Sequence, residues 1–432
     1  MTVVFLPAVM AIQRFPKPEF ESGYVQPNTQ LPLARGELLA WMDVAVLLLT
    51  LTLATFLVLK KRSRLGVFWL SLFSLAYFGF YRQGCVCSIG AIQNVTLGLF
   101  TRGYTVPLTV LAFFLTPLIF TLLFGRTFCA AVCPFGAFQD LVAFKPLRMG
   151  AWLNAFLGMI PYLYLGLAIL FAATTTEFVI CRYDPFVGIF RLNASIGMFI
   201  FAGLLLLSGV FIARPYCRFL CPYGVLLNWM SRFSWKHMTI TPAQCIQCRL
   251  CENACPYDAI DYPQTKKNPE GRRKQLNRLI VLLFLLPVMI LGGVWTGGKI
   301  HRTLAGVNSR VRLARILQSA SVSKDQPEIP EITAFRSSGI QQQQLNTEVS
   351  SIEHDFLTGS RIFGGSIGLV FGFTLIRLIL TPYQTDYIPN KGTCFSCAKC
   401  MDYCPVLKDG QVSSFAGIDE KNISGKTIES VT

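Results

Sequence analysis

The chain has 432 residues, of which 53% are hydrophobic and only 14% charged, and its mean hydropathy is +0.49. Soluble domains carry about 25% charged residues, so this composition excludes an ordinary soluble protein and indicates an integral membrane protein. The formal net charge of +16 does not indicate nucleic-acid binding, because the Lys and Arg residues flank apolar blocks and are better explained by orientation in a bilayer.

Apolar blocks in chain order predict seven transmembrane helices, and hence a mainly α-helical polytopic protein. The blocks are Trp41–Leu59, Leu65–Phe80, Val106–Phe124, Trp152–Ala173, Ile196–Ala213, Leu279–Val294 and Ile362–Leu380. The basic cluster Lys60–Arg64 marks a cytoplasmic end of the first block, which places the N-terminus outside. Strict alternation then places the basic stretch Lys266–Lys274 in the cytoplasm too. We therefore expect a multi-pass protein of the cell inner membrane.

These blocks divide the chain into seven segments. They are an external N-terminal segment (1–40), a transmembrane core of five spans (41–233), a first cysteine-rich segment (234–277), span six (278–297), an external loop (298–360), span seven (361–381) and a second cysteine-rich segment with a tail (382–432). Both cysteine-rich segments fall on the cytoplasmic side. The external loop is polar, and we expect it to be loosely structured except for a helix over Ser350–Phe363 that leads into span seven.

Fifteen cysteines are present, and twelve of them fall in four motifs that each end in Cys-Pro. Two of the motifs have the spacing C-x2-C-x2-C-x3-C-P, which in bacterial ferredoxins binds 4Fe–4S clusters. The first cysteine run is Cys245, Cys248, Cys251 and Cys255, and the second cysteine run is Cys394, Cys397, Cys400 and Cys404. The fourth cysteine of such a run can serve the other cluster, and if the two runs pair as one two-cluster module, Cys404 joins the first three cysteines of the first run and Cys255 those of the second. The alternative is that these cysteines bind zinc.

The other two motifs are C-x3-C-P pairs at the predicted cytoplasmic ends of two spans, and they form a weak internal duplication. Cys129 and Cys133 form one pair and Cys217 and Cys221 the other, each framed by aromatic residues and a following Gly. The proline makes a helical conformation unfavourable at the second cysteine. Together the pairs supply four thiolates, enough for a third cluster or metal at the membrane surface. The alternative is that they are structural thiols packed beneath the cysteine-rich segments.

Three further cysteines, Cys85, Cys87 and Cys181, lie on the predicted external side. In an oxidising compartment Cys181 would form a disulfide with Cys85 or Cys87, leaving one thiol over. The alternative is a metal or cluster site near the outer face.

No C-x-x-C-H haem motif, phosphate-binding loop, dinucleotide fingerprint or Ser/His/Asp constellation is found, so no catalytic residue is assigned. The pattern favours a conductor of electrons, as a subunit of an oxidoreductase, over an enzyme acting on a small substrate.

The motifs resemble those of the NosR/NapH-like membrane polyferredoxins over roughly residues 35–410. Besides both cysteine runs, the matching stretches are Arg82–Asn94 (RQGCVCSIGAIQN), Gly125–Pro134 (GRTFCAAVCP), Arg182–Phe186 (RYDPF) and Arg214–Gly224 (RPYCRFLCPYG). The resemblance implies an electron-transfer protein with two 4Fe–4S clusters. NosR-type proteins also carry an N-terminal periplasmic flavin domain with FMN on a threonine in an S/T-G-A-T-like motif. This sequence has no such motif, so we expect any FMN to come from a partner.

The resemblance also implies the partners. We expect the bilayer, other subunits of a respiratory complex, a flavin- or cytochrome-bearing periplasmic protein, and the quinone pool, with electrons passing between these and the cytoplasmic clusters. An alternative function is that of an assembly or maturation factor that reduces a metal centre, such as copper, of a respiratory enzyme, as CcoG-type relatives do. A redox sensor is a third hypothesis.

Overall fold

The structure is a computed structural model that describes residues 36–84, 88–144, 147, 149–192, 194–240, 248–261, 263, 269–322, 335, 341–379 and 387–404. It is mainly helical, as predicted. Among these residues, five helices are long and apolar enough to cross a membrane, and a bent helix pair would make a sixth. The five are Glu37–Lys61, Arg64–Tyr81, Trp152–Ala173, Leu276–Ala305 and Gln342–Leu378.

Two of the seven predicted blocks differ from simple spans. The block Val106–Phe124 contains a helix of only 17 residues, Leu108–Phe124. The block Ile196–Ala213 contains the helix Ile196–Phe211, which is bent by 111° from the preceding helix Pro185–Arg191. The count of seven spans therefore stays a prediction.

The membrane core is built from helices α1 to α12 and three π-helical turns. The helices are α1 Glu37–Thr55, α2 Arg64–Ser74, α3 Ser88–Phe100, α4 Leu108–Phe124, α5 Pro134–Val142, α6 Ala151–Leu157, α7 Ile160–Ala173, α8 Val179–Tyr183, α9 Pro185–Arg191, α10 Ile196–Phe211, α11 Pro215–Phe219 and α12 Pro222–Arg232. The π-helical turns are Phe56–Lys61, Leu75–Tyr81 and Phe128–Val132. Proline at the first position begins α5, α9, α11 and α12, where its missing N–H costs nothing.

The remaining elements form a helical hairpin and a small cysteine-rich module. They are α13 Leu250–Ala254, β1 Ile260–Asp261, α14 Pro269–Ala305, α15 Ser309–Val322, α16 Gln342–Ile379, β2 Ile388–Pro389 and α17 Lys399–Asp402. Strands β1 and β2 pair antiparallel, with Ile260 opposite Pro389. This ladder joins the segment before the hairpin to the segment after it.

The predicted external loop 298–360 is helical where the structure describes it, so the expectation of a loosely structured loop is wrong there. Helix α14 continues to Ala305, α15 follows, and α16 begins at Gln342, well before the predicted span. Buried apolar side chains explain why this segment is regularly folded. Val311 lies in one buried apolar cluster with Phe356, and Leu313 lies in another with Leu345. These apolar residues are widely spaced among polar ones, so their helical periodicity is weak in the sequence.

Helices α14 and α16 pack with their backbones in close approach through glycines. A Cβ atom built on Gly293 would overlap the carbonyl of Gly364, and one built on Gly364 would overlap the carbonyl of Gly293. Membrane helices use small residues in this way, because close approach of the backbones maximises van der Waals packing.

We expect Gly293→Ala to destabilise this hairpin by about 1–3 kcal/mol, because the added methyl group has no room against the Gly364 carbonyl. The measurement is the thermal unfolding midpoint of the purified protein in mild detergent. Gly292→Ala is the matched control, since a Cβ at Gly292 meets nothing within 4 Å. Equal midpoints for the two variants would contradict the packing described.

Candidate functional site

The two C-x3-C-P pairs meet in the interior of the core. All four thiols are buried, with residue exposures of 7–9%, and we call Cys129, Cys133, Cys217 and Cys221 the four-thiol site. In each pair the second cysteine has an extended backbone and precedes the helix that the next proline begins. Burial raises the pKa of Cys221 well above its ordinary value, and the charges of the three neighbouring thiols raise it further. The fold thus brings together the four cysteines of the duplicated motif.

Hydrogen-bond donors point at the sulfur atoms of this site. The amide Nε2 of Gln139 donates to Cys217 Sγ at 3.2 Å, and the backbone N–H of Gly224 donates to Cys221 Sγ at 3.3 Å. Donors of this kind favour thiolate over thiol and adjust the reduction potential of a sulfur-bound cluster.

Two arginines, Arg126 and Arg214, each extend from their own C-x3-C-P motif to the other motif. Each lies three residues before the first cysteine of its own pair and packs against the glycine of the other pair. A Cβ at Gly136 would lie 3.3 Å from Arg214 Nη1, and a Cβ at Gly224 would lie 3.6 Å from Arg126 Nη2. The glycines therefore allow this close approach, and the two motifs interlock reciprocally.

Arg214 is fully buried and is neutralised by Asp140. Its Nη2 and Nε atoms donate to the two carboxylate oxygens at 2.6 and 2.7 Å. Burial alone would raise the pKa of Asp140, but the charges of Arg214 and Arg64 outweigh it and hold that pKa below its usual value. This is a bidentate ion pair, and Asp140 Oδ2 also lies 3.5 Å from Nη2 of the partly exposed Arg64.

Arg126 is 4% exposed, yet in the described part of the chain no carboxylate pairs with it. Its Nη2 donates to Cys129 Sγ at 3.8 Å, its Nη1 donates to the carbonyl of Gly392 at 3.1 Å, and its Nε has no hydrogen-bond partner. A buried cation without an anion is strongly unfavourable. Four neutral thiols or two disulfides leave this charge unbalanced, whereas an anionic thiolate-bound metal centre balances it. The donor set therefore fits a cluster.

A second group of cysteines forms within the cysteine-rich module. Cys255 of the first run lies near Cys394, Cys397 and Cys400 of the second run, and Cys251 of the first run also lies near Cys400. Burial raises the pKa of Cys394 to about 12, and its cysteine neighbours act in the same direction. The proximity of Cys255 to the second run is compatible with cross-ligation, and the assignment of ligands to each cluster stays a prediction.

The remaining cysteines of the two runs belong to the other expected group. Cys245 lies outside the described residues. Cys248 is exposed and Cys251 is buried in α13, and α13 packs against α17, which ends shortly before Cys404. Among the described residues no three His, Cys, Asp or Glu side chains are arranged to hold a single metal ion. A cube carries each thiolate on a different iron atom, so a single-ion arrangement is not what it requires.

The module docks directly onto the four-thiol site. The ring of Phe395, between Cys394 and Cys397, lies 4.2 Å from the guanidinium carbon of Arg126 and 4.8 Å from the ring of Tyr257. The Tyr257 hydroxyl donates to Asp140 Oδ1 at 3.2 Å. The two cysteine groups are thus separated by one layer of aromatic and guanidinium groups.

An aromatic cluster extends from the four-thiol site to the other end of the core. Its rings are those of Phe80, Phe135, Phe138, Phe186, Phe190 and Tyr216, with neighbouring centroids 5.0–6.1 Å apart. The Tyr216 hydroxyl donates to Asp184, which also caps α9. The Asp-Pro sequence predicts a turn role for Asp184, with proton transfer as the alternative. The structure buries Asp184 beside Tyr216, and its side chain accepts from the backbone N–H groups of Phe186 and Val187 at the start of α9.

A cavity of ≈ 200 Å³ lies beyond this cluster. Its lining includes Asp43, Arg82, Asn94, Phe113, Cys181 and Arg191. Arg82 Nη2 pairs with Asp43 Oδ2 at 3.0 Å, and the Tyr77 hydroxyl donates to Asp43 Oδ1 at 2.8 Å. Of the three external cysteines, Cys181 is exposed, while Cys85 and Cys87 lie outside the described residues. The predicted disulfide and the predicted outer metal site both stay predictions.

Two family models match the parts of the chain that hold the cysteine motifs. Both are described as a 4Fe-4S binding domain: one matches residues 106–158 and 194–240, and the other matches residues 238–261. The first model covers both C-x3-C-P pairs and the second covers the first cysteine run. Iron–sulfur clusters are therefore the cofactors.

Curated relatives share these parts of the chain. The protein NirI of Paracoccus denitrificans is 32% identical over 236 residues, covering 49% of this chain and 33% of NirI. The regulatory protein NosR of Pseudomonas aeruginosa is 29% identical over 46% of this chain and 29% of NosR. These similarities support a place for the chain among the NosR/NapH-like polyferredoxins. The putative electron transport protein YccM of Escherichia coli is 26% identical over 32% of this polyferredoxin and 43% of YccM.

The polyferredoxin thus spans less than half the length of each of these three relatives. No solved structure gives a significant match. Its apolar helices mark it as a membrane protein.

Proposed function

We propose that this polyferredoxin carries electrons between cytoplasmic-side clusters and a redox partner in or across the inner membrane, as a subunit of a respiratory complex. The observation that carries the proposal is the docking of the cysteine-rich module onto the four-thiol site through Phe395 and Arg126. Two cysteine groups in such contact permit electron passage from one to the other. The name of YccM as a putative electron transport protein supports the same role.

The proposed ligands fall into three sets of four. One cluster takes Cys245, Cys248, Cys251 and Cys404; a second takes Cys255, Cys394, Cys397 and Cys400; and a third takes Cys129, Cys133, Cys217 and Cys221. When bound, the clusters accept and release single electrons. The chain's own residues hold them in a dry interior, since Gln139 and the Gly224 N–H donate to sulfur atoms and the uncompensated Arg126 balances negative charge.

The proposed orientation follows the predicted topology: seven spans, the N-terminus outside, and both cysteine-rich segments in the cytoplasm. The Lys60–Arg64 cluster supports it, because Arg64 Nη1 donates to the Cys397 carbonyl of the docked module at 3.3 Å and both therefore lie on the same side. The proposed segment boundaries are those given above. A flavin- or cytochrome-bearing periplasmic protein is the proposed partner at the opposite face.

A quinone is the proposed partner within the bilayer, and the cavity beside Asp43 is where its head group would fit. The cavity combines apolar walls such as Phe113 with the buried Asp43–Arg82 pair. A carboxylate hydrogen-bonded to Tyr77 offers a proton acceptor, and a guanidinium offers a donor to a carbonyl oxygen. The aromatic cluster joins this cavity to the four-thiol site, since Val187 lines the cavity and its neighbour Phe186 contacts Tyr216.

The proposed function is tested by anaerobic purification with iron and acid-labile sulfide counts, followed by EPR-monitored redox titration. We expect about twelve irons and about twelve sulfides per chain, which is three cubes. Reduced-cluster signals should also appear after addition of duroquinol. Zinc without labile sulfide would overturn the proposal, and about eight irons would remove the third cluster from it. Co-purification in stoichiometric amounts with a respiratory enzyme distinguishes a conductor from a maturation factor.

A further inference from the structure

One uncompensated guanidinium touches both the four-thiol site and the cysteine-rich module. Arg126 donates to the sulfur of Cys129 on one side, and on the other its Cζ lies 4.2 Å from the centre of the Phe395 ring. Phe395 stands between Cys394 and Cys397 in the sequence, so the guanidinium is close to cysteines of both groups. Arg214 also approaches the Phe395 ring, at 5.6 Å, but unlike Arg126 it is paired with a carboxylate, that of Asp140.

The internal duplication explains why Arg126 lacks a carboxylate. The two motifs are offset by the same number of positions throughout, so Arg126 corresponds to Arg214, Gly136 to Gly224, and Asp140 to Asn228. The second copy offers a neutral amide where the first has an acid, and the symmetric ion pair is not formed. Among the described residues, Arg126 is therefore left without the carboxylate partner that Arg214 has.

We propose that Arg126 is a positioning residue that acts as a shared counter-ion of the two centres and raises the reduction potential of both. The inference rests on the proposed function, because it needs an anionic centre at each cysteine group. Reduction adds one electron to a centre and breaks no bond, so the reduced form carries one more negative charge. A fixed positive charge within a few ångströms in a low-dielectric interior stabilises that form.

The contacts of Arg126 also fix where its charge lies. Its planar guanidinium lies over Phe395 while its Nη1 donates to the Gly392 carbonyl. A lysine at this position would supply the charge but neither the stacking nor the forked geometry. We therefore expect the positive charge of Arg126 to set the size of the shift in reduction potential. The stacking on Phe395 holds that charge between the two centres.

The test is EPR-monitored redox titration of Arg126→Gln in the full-length protein, with iron content measured on the same samples. We expect both the four-thiol centre and the centre at Cys255 to become harder to reduce by about tenfold, which is 59 mV for a one-electron couple. Arg126→Lys should recover part of the shift. Arg232→Gln is the control, because Arg232 is an exposed arginine at the end of α12 that contacts Asn228 rather than either centre.

A second variant keeps the test decisive if Arg126→Gln loses iron. Asn228→Asp, made in the Arg232→Gln background, restores the missing carboxylate while leaving Arg126 in place. Asn228 lies beside Gly392, whose carbonyl accepts from Arg126. Arg232 is removed because its Nε otherwise donates to the Asn228 side chain at 3.3 Å.

Both potentials should fall in this double variant, as they do in Arg126→Gln. Normal iron with unchanged potentials in these variants would overturn the inference. A wild-type protein lacking the four-thiol iron would overturn the third cluster of the proposed function instead, so the two failures are distinguishable.

Discussion

Cys129→Ser is expected to remove one whole cluster and leave the other two. Cys129 is buried in the four-thiol site beside Arg126, and serine is a poor ligand for iron because its hydroxyl stays protonated at neutral pH. The iron content should fall from about twelve to about eight per chain, with loss of one set of EPR signals. The measurement is iron and labile sulfide analysis of anaerobically purified protein.

The pseudo-symmetric variant Cys217→Ser should give the same spectrum and the same iron content as Cys129→Ser, because both thiols belong to one site. Cys181→Ser is the control, since Cys181 is exposed and lines the cavity at the other end of the aromatic cluster. Unchanged iron in Cys129→Ser and Cys217→Ser would show that the pairs are structural thiols, and the membrane end of the proposed electron path would then be absent.

Cys255→Ser is expected to remove the cluster of the second cysteine run rather than that of its own run. The structure places Cys255 near Cys394, Cys397 and Cys400. Cys255→Ser should therefore abolish the same EPR signal as Cys397→Ser, with a loss of about four irons in each case. The comparison uses g values and midpoint potentials to tell which cluster remains.

The reciprocal variant completes this experiment. Cys404→Ser should abolish the signal that Cys248→Ser abolishes, because the two residues are expected to share the other cluster. If each run instead holds its own cube, Cys255→Ser will match Cys248→Ser, and the exchange of fourth ligands is wrong.

Much of the architecture is predictable from apolar blocks. The helices Glu37–Lys61, Arg64–Tyr81 and Trp152–Ala173 lie where hydrophobic runs between basic or polar stretches put them. The helix Ser88–Phe100, whose first turns are buried, is not predicted by these blocks, because it contains small and polar residues and is too short for a span. The bend before α10 is not predicted either, since the apolar block shows where α10 begins but not the angle it makes with α9.

The cysteines of the candidate site are predictable from spacing, but their surroundings are less so. A signal for Arg126 and Arg214 is present in the sequence, since an arginine stands at the same offset before both C-x3-C-P pairs. The partner of Arg214 cannot be found this way, because Asp140 has no acidic counterpart in the second copy. Asp43 in an apolar helix is a visible anomaly, and its partner Arg82 lies far away in sequence. Such pairs follow only from the packed fold.

The close-packed hairpin of α14 and α16 has a consequence for how the protein is made. The hairpin stands in the chain between the two cysteine runs, and the strand pairing of Ile260 with Pro389 closes the module only after both helices are in place. On the proposed ligand assignment, neither cube of the module has all four thiolates until the second run has left the ribosome. Complete ligation of both cubes is thereby ordered after the synthesis of both hairpin helices.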